Sequence, residues 1–123
     1  MLKPVKEGVK PVQAKINTTL WYNSAVPIIL GDIAEWHYAR NLIDGSTDKD
    51  QFLKLVQEVG ELSDSICKGK DISDDIGDII TVLVNIAERN GTSIEKCLEV
   101  AWDDIKDRKG VMKDGIFIKE SDL

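Results

Sequence analysis

Apolar residues recur at helical 3 and 4 spacing in three consecutive segments, and each segment runs into a glycine stop. Phe52, Leu55, Val56, Val59, Leu62 and Ile66 precede Gly69. Ile76, Ile79, Ile80, Leu83, Ile86 and Ala87 precede Asn90-Gly91, and Ile94, Cys97, Leu98, Ala101 and Ile105 precede Lys109-Gly110. A stripe of that period buries one side of a helix, and glycine after its last turn accepts the left-handed conformation that ends it. The pattern predicts an all-α domain, a four-helix bundle.

A first helix is expected over about 31–42, with Ile33, Trp36, Ala39 and Leu42 or Ile43 facing inward, stopped by Asp44-Gly45-Ser46. Ser46, Thr47 or Asp48 can cap the second, which runs to about Lys68. The third starts near Asp71 or Ser73, and Thr92-Ser93-Ile94-Glu95 has the capping-box form that opens a fourth. Asp114-Gly115 between short apolar runs predicts a C-terminal hairpin. Residues 1–28 hold all three prolines, Pro4, Pro11 and Pro27, and no sustained period. They read as an irregular arm with a short strand or helix near Thr19–Tyr22. The expected division is an arm over 1–30 and a helical domain with its tail over 31–123.

With 123 residues, 42% hydrophobic and 31% charged, the chain suits one globular domain with a modest core. A net charge of −6 argues against a nucleic-acid polymer as partner, since phosphate neutralisation needs a basic face. Cys67 and Cys97 lack metal-site spacing and read as reduced thiols. No stretch has the roughly 20 apolar residues of a membrane span, and the start has no secretory core. A cytoplasmic location without membrane contact is the expectation. Four helices this short leave apolar surface uncovered, so a homo-oligomer is expected as well.

Within the helical pattern stand two i, i+3 acidic pairs, Glu58 with Glu61 and Asp75 with Asp78. Each pair points both carboxylates to one helix face, and an antiparallel hairpin around Gly69 brings the pairs together. Either pair alone is the ordinary solvated face of an amphipathic helix. The four together repel unless they hold a cation, and oxygen-only ligation favours Mg²⁺, with Mn²⁺ or Ca²⁺ behind it, over zinc. Gly60 and Gly77 lie inside these pairs, each at a cost of about 1 kcal/mol in a helix. Close helix approach beside a metal is the expected compensation. A di-iron site needs Glu-x-x-His, which the single histidine, His37, does not supply. Zinc catalysis lacks its ligands, and the acids lie within helices rather than in an EF-hand loop.

The segment Lys54-Leu-Val-Gln-Glu58-Val-Gly-Glu61-Leu, followed by Asp74-Asp75-Ile-Gly-Asp78-Ile-Ile, resembles the MazG-like all-α nucleoside triphosphate pyrophosphohydrolases, in particular small phage and bacterial members. The resemblance continues through Leu83-Val-Asn85-Ile-Ala and the helix ending Ala101-Trp102 to Lys109-Gly110, and includes Trp36 to Leu42 upstream, covering roughly 31–119. It implies hydrolysis of a nucleoside or deoxynucleoside triphosphate to the monophosphate and pyrophosphate, with Glu58, Glu61, Asp75 and Asp78 as Mg²⁺ ligands, in a homodimer or homotetramer. Asp75 stands where the family has glutamate, one methylene longer, and Gln57 replaces a common neighbouring glutamate. Glu58 or Glu61 would take the proton of the attacking water. Lys54, Lys106, Arg108 and Lys109 are candidates to balance phosphate charge, although basic residues at a helix end also answer its dipole. Asn85 lies two turns beyond Asp78 on the same face and can read a base edge or sugar, or serve as a buried polar group. Trp36 can stack on a base or join the core, and His37 reads as structural or exposed. The rival readings are a catalytically silent helical interaction module and hydrolysis of an alarmone such as ppGpp.

Overall fold

The computed structural model describes the backbone of residues 11–123 and side chains from Asn23 onward. Four helices, α1 (Pro11–Ala39), α2 (Asp48–Cys67), α3 (Ser73–Arg89) and α4 (Ile94–Ile105), are followed by β1 (Gly110–Lys113), β2 (Ile116–Lys119) and a short 3₁₀ turn (Glu120–Asp122). No helix among the described residues is long and apolar enough to cross a membrane.

The helix ends follow local chemistry closely. Thr47 accepts the Asp50 N–H at 3.0 Å to cap α2, and Asp71 accepts from the Ser73 N–H and hydroxyl ahead of α3. Gly69 (φ 66°) and Gly91 (φ 72°) terminate α2 and α3 in the left-handed region. At α4 the capping residue is Ser93, accepting from the Lys96 N–H at 3.1 Å, so the start lies one residue beyond the T-x-x-E reading. Asp114 (φ 51°) and Gly115 (φ 81°) make the tight turn of the expected hairpin, with Lys113 opposite Ile116 and Gly110 opposite Lys119.

The first helix departs most from expectation. Residues 11–30 are helical rather than an irregular arm, while residues 1–10 lie outside the described chain, and with them Pro4. The helix continues through Pro27 with one backbone bond fewer. The side chains of Leu20, Trp21 and Tyr22 also lie outside the described set, though their backbone is helical. The helix ends at Ala39, because Asn41 (φ 56°) takes the left-handed place and the Leu42 N–H returns to the His37 carbonyl at 2.9 Å. The inward face is also rotated by one residue. His37 is buried, whereas Trp36 is 44% exposed beneath the Arg40 guanidinium, 4.3 Å from its ring centre.

Helix α3 is the hub, packing against α2, α1 and α4. The buried apolar residues among those described are Leu30, Ile43, Val82, Val84 and Ala87. The second helix meets α3 along Gln51, Leu55, Glu58, Leu62 and Ser65, all buried or half-buried. Its strongest apolar line, Phe52, Val56, Val59 and Ile66, was expected in the core and instead stays 49–59% exposed in the single chain. The expected close approach at the two glycines is likewise not found, since a Cβ at Gly60 or Gly77 would meet nothing within 4 Å.

Candidate metal centre

Because α2 and α3 form the expected hairpin, three of the four acids converge, and Asp75 does not join them. Carboxylate oxygens of Glu58, Glu61 and Asp78 lie within 4.8 Å of one another. Glu58 is buried at 5% exposure, Asp78 half-buried and Glu61 open to solvent. Asp75, half-buried, falls outside this trio but close enough for its charge to act on Glu61 and Asp78.

The electrostatics of the trio are those of a site short of positive charge. A proton on Glu61 would bridge to Glu58, and that contact, followed by the Glu58 charge, raises the Glu61 pKa. Burial comes first in raising the Asp78 pKa, followed by the charges of Asp74, Glu58 and Asp75. Lys54 Nζ lies 3.1 Å from Glu58 Oε1 and supplies one compensating cation. With the carboxylates ionised, Glu58 Oε2 is buried without a partner. Leaving such an oxygen bare costs roughly 1–3 kcal/mol, and more for a charged group. Three hard oxygen donors, one of them buried and unsatisfied, fit a divalent cation such as Mg²⁺ or Mn²⁺.

Beside the trio opens a cleft of about 360 Å³, lined by Trp36, His37, Leu42, Gln51, Lys54, Glu58, Asp78, Thr81 and Val82. Trp36 therefore belongs to the cleft wall rather than to the core. His37, buried at 4%, donates from Nε2 to the Thr81 carbonyl at 2.8 Å, because a carbonyl can only accept. Its Nδ1 accepts from Asn85 Nδ2 at 3.2 Å, and the same amide donates to the Leu42 carbonyl at 2.8 Å. Both amide protons of Asn85 are thereby committed to holding α1 and its following turn on α3. Its Oδ1 is buried without a partner among the described residues and the residue has 0% exposure, so Asn85 is a buried polar group with its amide donors satisfied and its carbonyl oxygen not. Arg89 reinforces this join by donating to the Ile43 carbonyl and pairing with Asp48 at 2.9 Å.

The basic cluster at the end of α4 is not brought to this cleft. Lys106 pairs with Asp103 at 3.2 Å and Arg108 with Asp104 at 2.7 Å, both exposed. Arg108 and Lys109 line a separate surface depression with Lys119 and Glu120. Gln51 and Thr81 were not singled out from sequence, yet both line the cleft. Gln51 precedes Glu58 by seven residues, two helical turns, and that spacing was the available signal.

No family model matches this sequence, and no solved structure matches it either. A stretch of 64 residues is 41% identical to an uncharacterized 18.2 kDa protein from the rep–hol intergenic region of Haemophilus phage HP1 (strain HP1c1). The match covers 50% of this chain and 39% of that relative, so the chain spans about two-fifths of the relative's length.

Proposed function

We propose that this chain is a metal-dependent nucleoside triphosphate pyrophosphohydrolase of the MazG-like kind, releasing pyrophosphate from a nucleoside or deoxynucleoside triphosphate. The observation that carries the reading is the Glu58–Glu61–Asp78 trio, with a buried, unpartnered Glu58 oxygen, set at the edge of a cleft walled by Trp36. Glu58, Glu61 and Asp78 would hold Mg²⁺ or Mn²⁺, with Asp75 adding charge from just outside. When bound, the ion supplies charge neutralisation of the phosphates and a water of lowered pKa.

The chain's own groups divide the remaining work. Glu61, the member of the trio open to solvent, is the carboxylate suited to accept a proton from the water that attacks phosphorus. Lys54 leans on Glu58 and can turn its ammonium toward a phosphate once a cation takes its place. Trp36 presents an aromatic face at the cleft for a base, while Asn85 holds the cleft's shape rather than reading the base. Lys106, Arg108 and Lys109 would reach phosphate only from another copy or after a movement of α4.

The test is pyrophosphate release measured over a panel of nucleoside and deoxynucleoside triphosphates, with ppGpp included, at several Mg²⁺ and Mn²⁺ concentrations. Release that requires the metal and disappears in Glu61→Gln supports the enzyme. Absence of release from every nucleotide at every metal concentration overturns it and leaves the silent helical module.

A further inference from the structure

We infer that Gln51 is the specificity residue of the cleft, reading the edge of a nucleobase with a carboxamide that Ser46 holds in place, an inference that rests on the nucleotide site proposed above. The cleft has two ends. Glu58 and Asp78 stand at one, with Lys54 against Glu58. Gln51 precedes Glu58 by seven residues on α2, so it lies on the same face about 10 Å along the axis. With metal and phosphates at the acidic end, Gln51 stands where a base joined through one sugar would lie.

The other walls of that end cannot read a base edge. Leu42 and Val82 offer no hydrogen bond. The Thr81 hydroxyl donates to the Gly77 carbonyl at 2.9 Å, and both ring nitrogens of His37 are engaged, by the Thr81 carbonyl and by Asn85. Trp36 contributes ring surface, and the Arg40 guanidinium over one face leaves the other for stacking. Gln51 differs. Its Nε2 donates to Ser46 Oγ at 2.9 Å, which spends one of two amide protons, while the second proton and Oε1 have no partner among the described residues. A half-buried amide with one donor beside one acceptor matches a ring edge that carries an acceptor beside a donor.

The amide is also fixed before any ligand arrives. Ser46 belongs to the turn between α1 and α2, which Asn85 holds through the Leu42 carbonyl at 2.8 Å and Arg89 holds through Asp48 at 2.9 Å. A Cβ at Gly45 in that turn would collide with Asn41, so its packing admits no side chain there. A reader held in advance loses little freedom on binding. With the wrong base it sets donor against donor or acceptor against acceptor, which is how a polar site rejects a close analogue.

Titration calorimetry of the full chain with Mg²⁺ and the α,β-methylene analogues of the four deoxynucleoside triphosphates tests this, because those analogues keep the base and cannot release pyrophosphate. Wild type is expected to bind the preferred base about 10-fold or more tightly than the least favoured, and Gln51→Leu to bring all four within about 3-fold. Ser46→Ala, which frees the amide and removes nothing from the cleft, should narrow the spread part-way. Should Gln51→Leu fail to fold, Gln51→Glu keeps the length and can accept from the Ser46 hydroxyl. It replaces the donor by a second acceptor, so the order of preference is expected to change. A purely structural Ser46–Gln51 contact would move stability and not the ratio between bases. A spread unaltered in these variants, or a wild type that binds the four alike or not at all, therefore overturns the inference. Pyrophosphate release separates it from the proposed activity. Release from natural triphosphates with a base ratio untouched by Gln51→Leu keeps the hydrolase and sinks the reader, whereas base-selective binding through Gln51 without release does the reverse.

Discussion

Glu58 is a buried carboxylate whose Oε1 meets Lys54 while its Oε2 has no hydrogen-bond partner among the described residues. Replacing it by glutamine removes the ligand charge while keeping the shape. Glu58→Gln is expected to weaken divalent-metal binding and pyrophosphate release by more than about 100-fold, read by titration calorimetry and the release assay. Asp75→Asn should lose much less, because Asp75 stands outside the trio. Asn85 has a different kind of importance. Asn85→Ala leaves the Leu42 carbonyl and His37 Nδ1 without their donor, and at roughly 1–3 kcal/mol per buried unsatisfied group it should lower stability by about 2–6 kcal/mol in urea unfolding.

At the scale of the element, the helices are fixed by their ends more than by their middles. Ser93→Ala removes the α4 cap and is expected to cost about 1 kcal/mol by urea unfolding, whereas Thr92→Ala, outside the observed cap, should cost only a few tenths. Gly77 stands mid-helix over open space, so Gly77→Ala should raise stability by up to about 1 kcal/mol. A loss of stability there would mean that something packs over this turn. The α2–α3 hairpin is the element that makes the site, since the return at Gly69 sets two lines of acids against each other.

For the whole molecule, pH is expected to act on the acidic cluster, and under the proposed function a divalent metal acts on the same groups. The folded pKa values of Glu61 and Asp78 are raised, so the folded chain binds more protons than the unfolded chain between their ordinary and raised values. Stability contributed by these groups is therefore greatest below the ordinary carboxylate range and is lost as pH rises through the raised values. In EDTA, the stability difference between wild type and Asp78→Asn should shift against the wild type as pH rises from about 4, followed by thermal melts. A bound divalent ion reverses this. At 100 times its Kd, Mg²⁺ should stabilise the chain by about 2.7 kcal/mol at neutral pH, an effect that fades on acidification as protons compete for the same oxygens. A melting temperature indifferent to Mg²⁺ and Mn²⁺ would count against the metal centre.

Local rules made the helices from α2 onward legible in sequence. Apolar period, Thr47, Gly69, Gly91 and Asp114-Gly115 each act within a few residues, so α2, α3, α4 and the hairpin could be placed to within about a turn. The convergence of three of the four acids was legible too, because i, i+3 spacing and one glycine turn bring them near one another, whereas the separation of Asp75 from the trio was not. What sequence could not decide were relations between elements. Whether Pro27 breaks or merely weakens α1 depends on what supports the helix around it. Which face of α1 turns inward is decided by the His37–Thr81 and Asn85–Leu42 hydrogen bonds, partners more than 40 residues apart. An apolar stripe specifies that a face is to be covered, but not by what. Only the tertiary arrangement showed that α3 meets the side of α2 carrying Glu58 and leaves the Phe52–Ile66 line exposed.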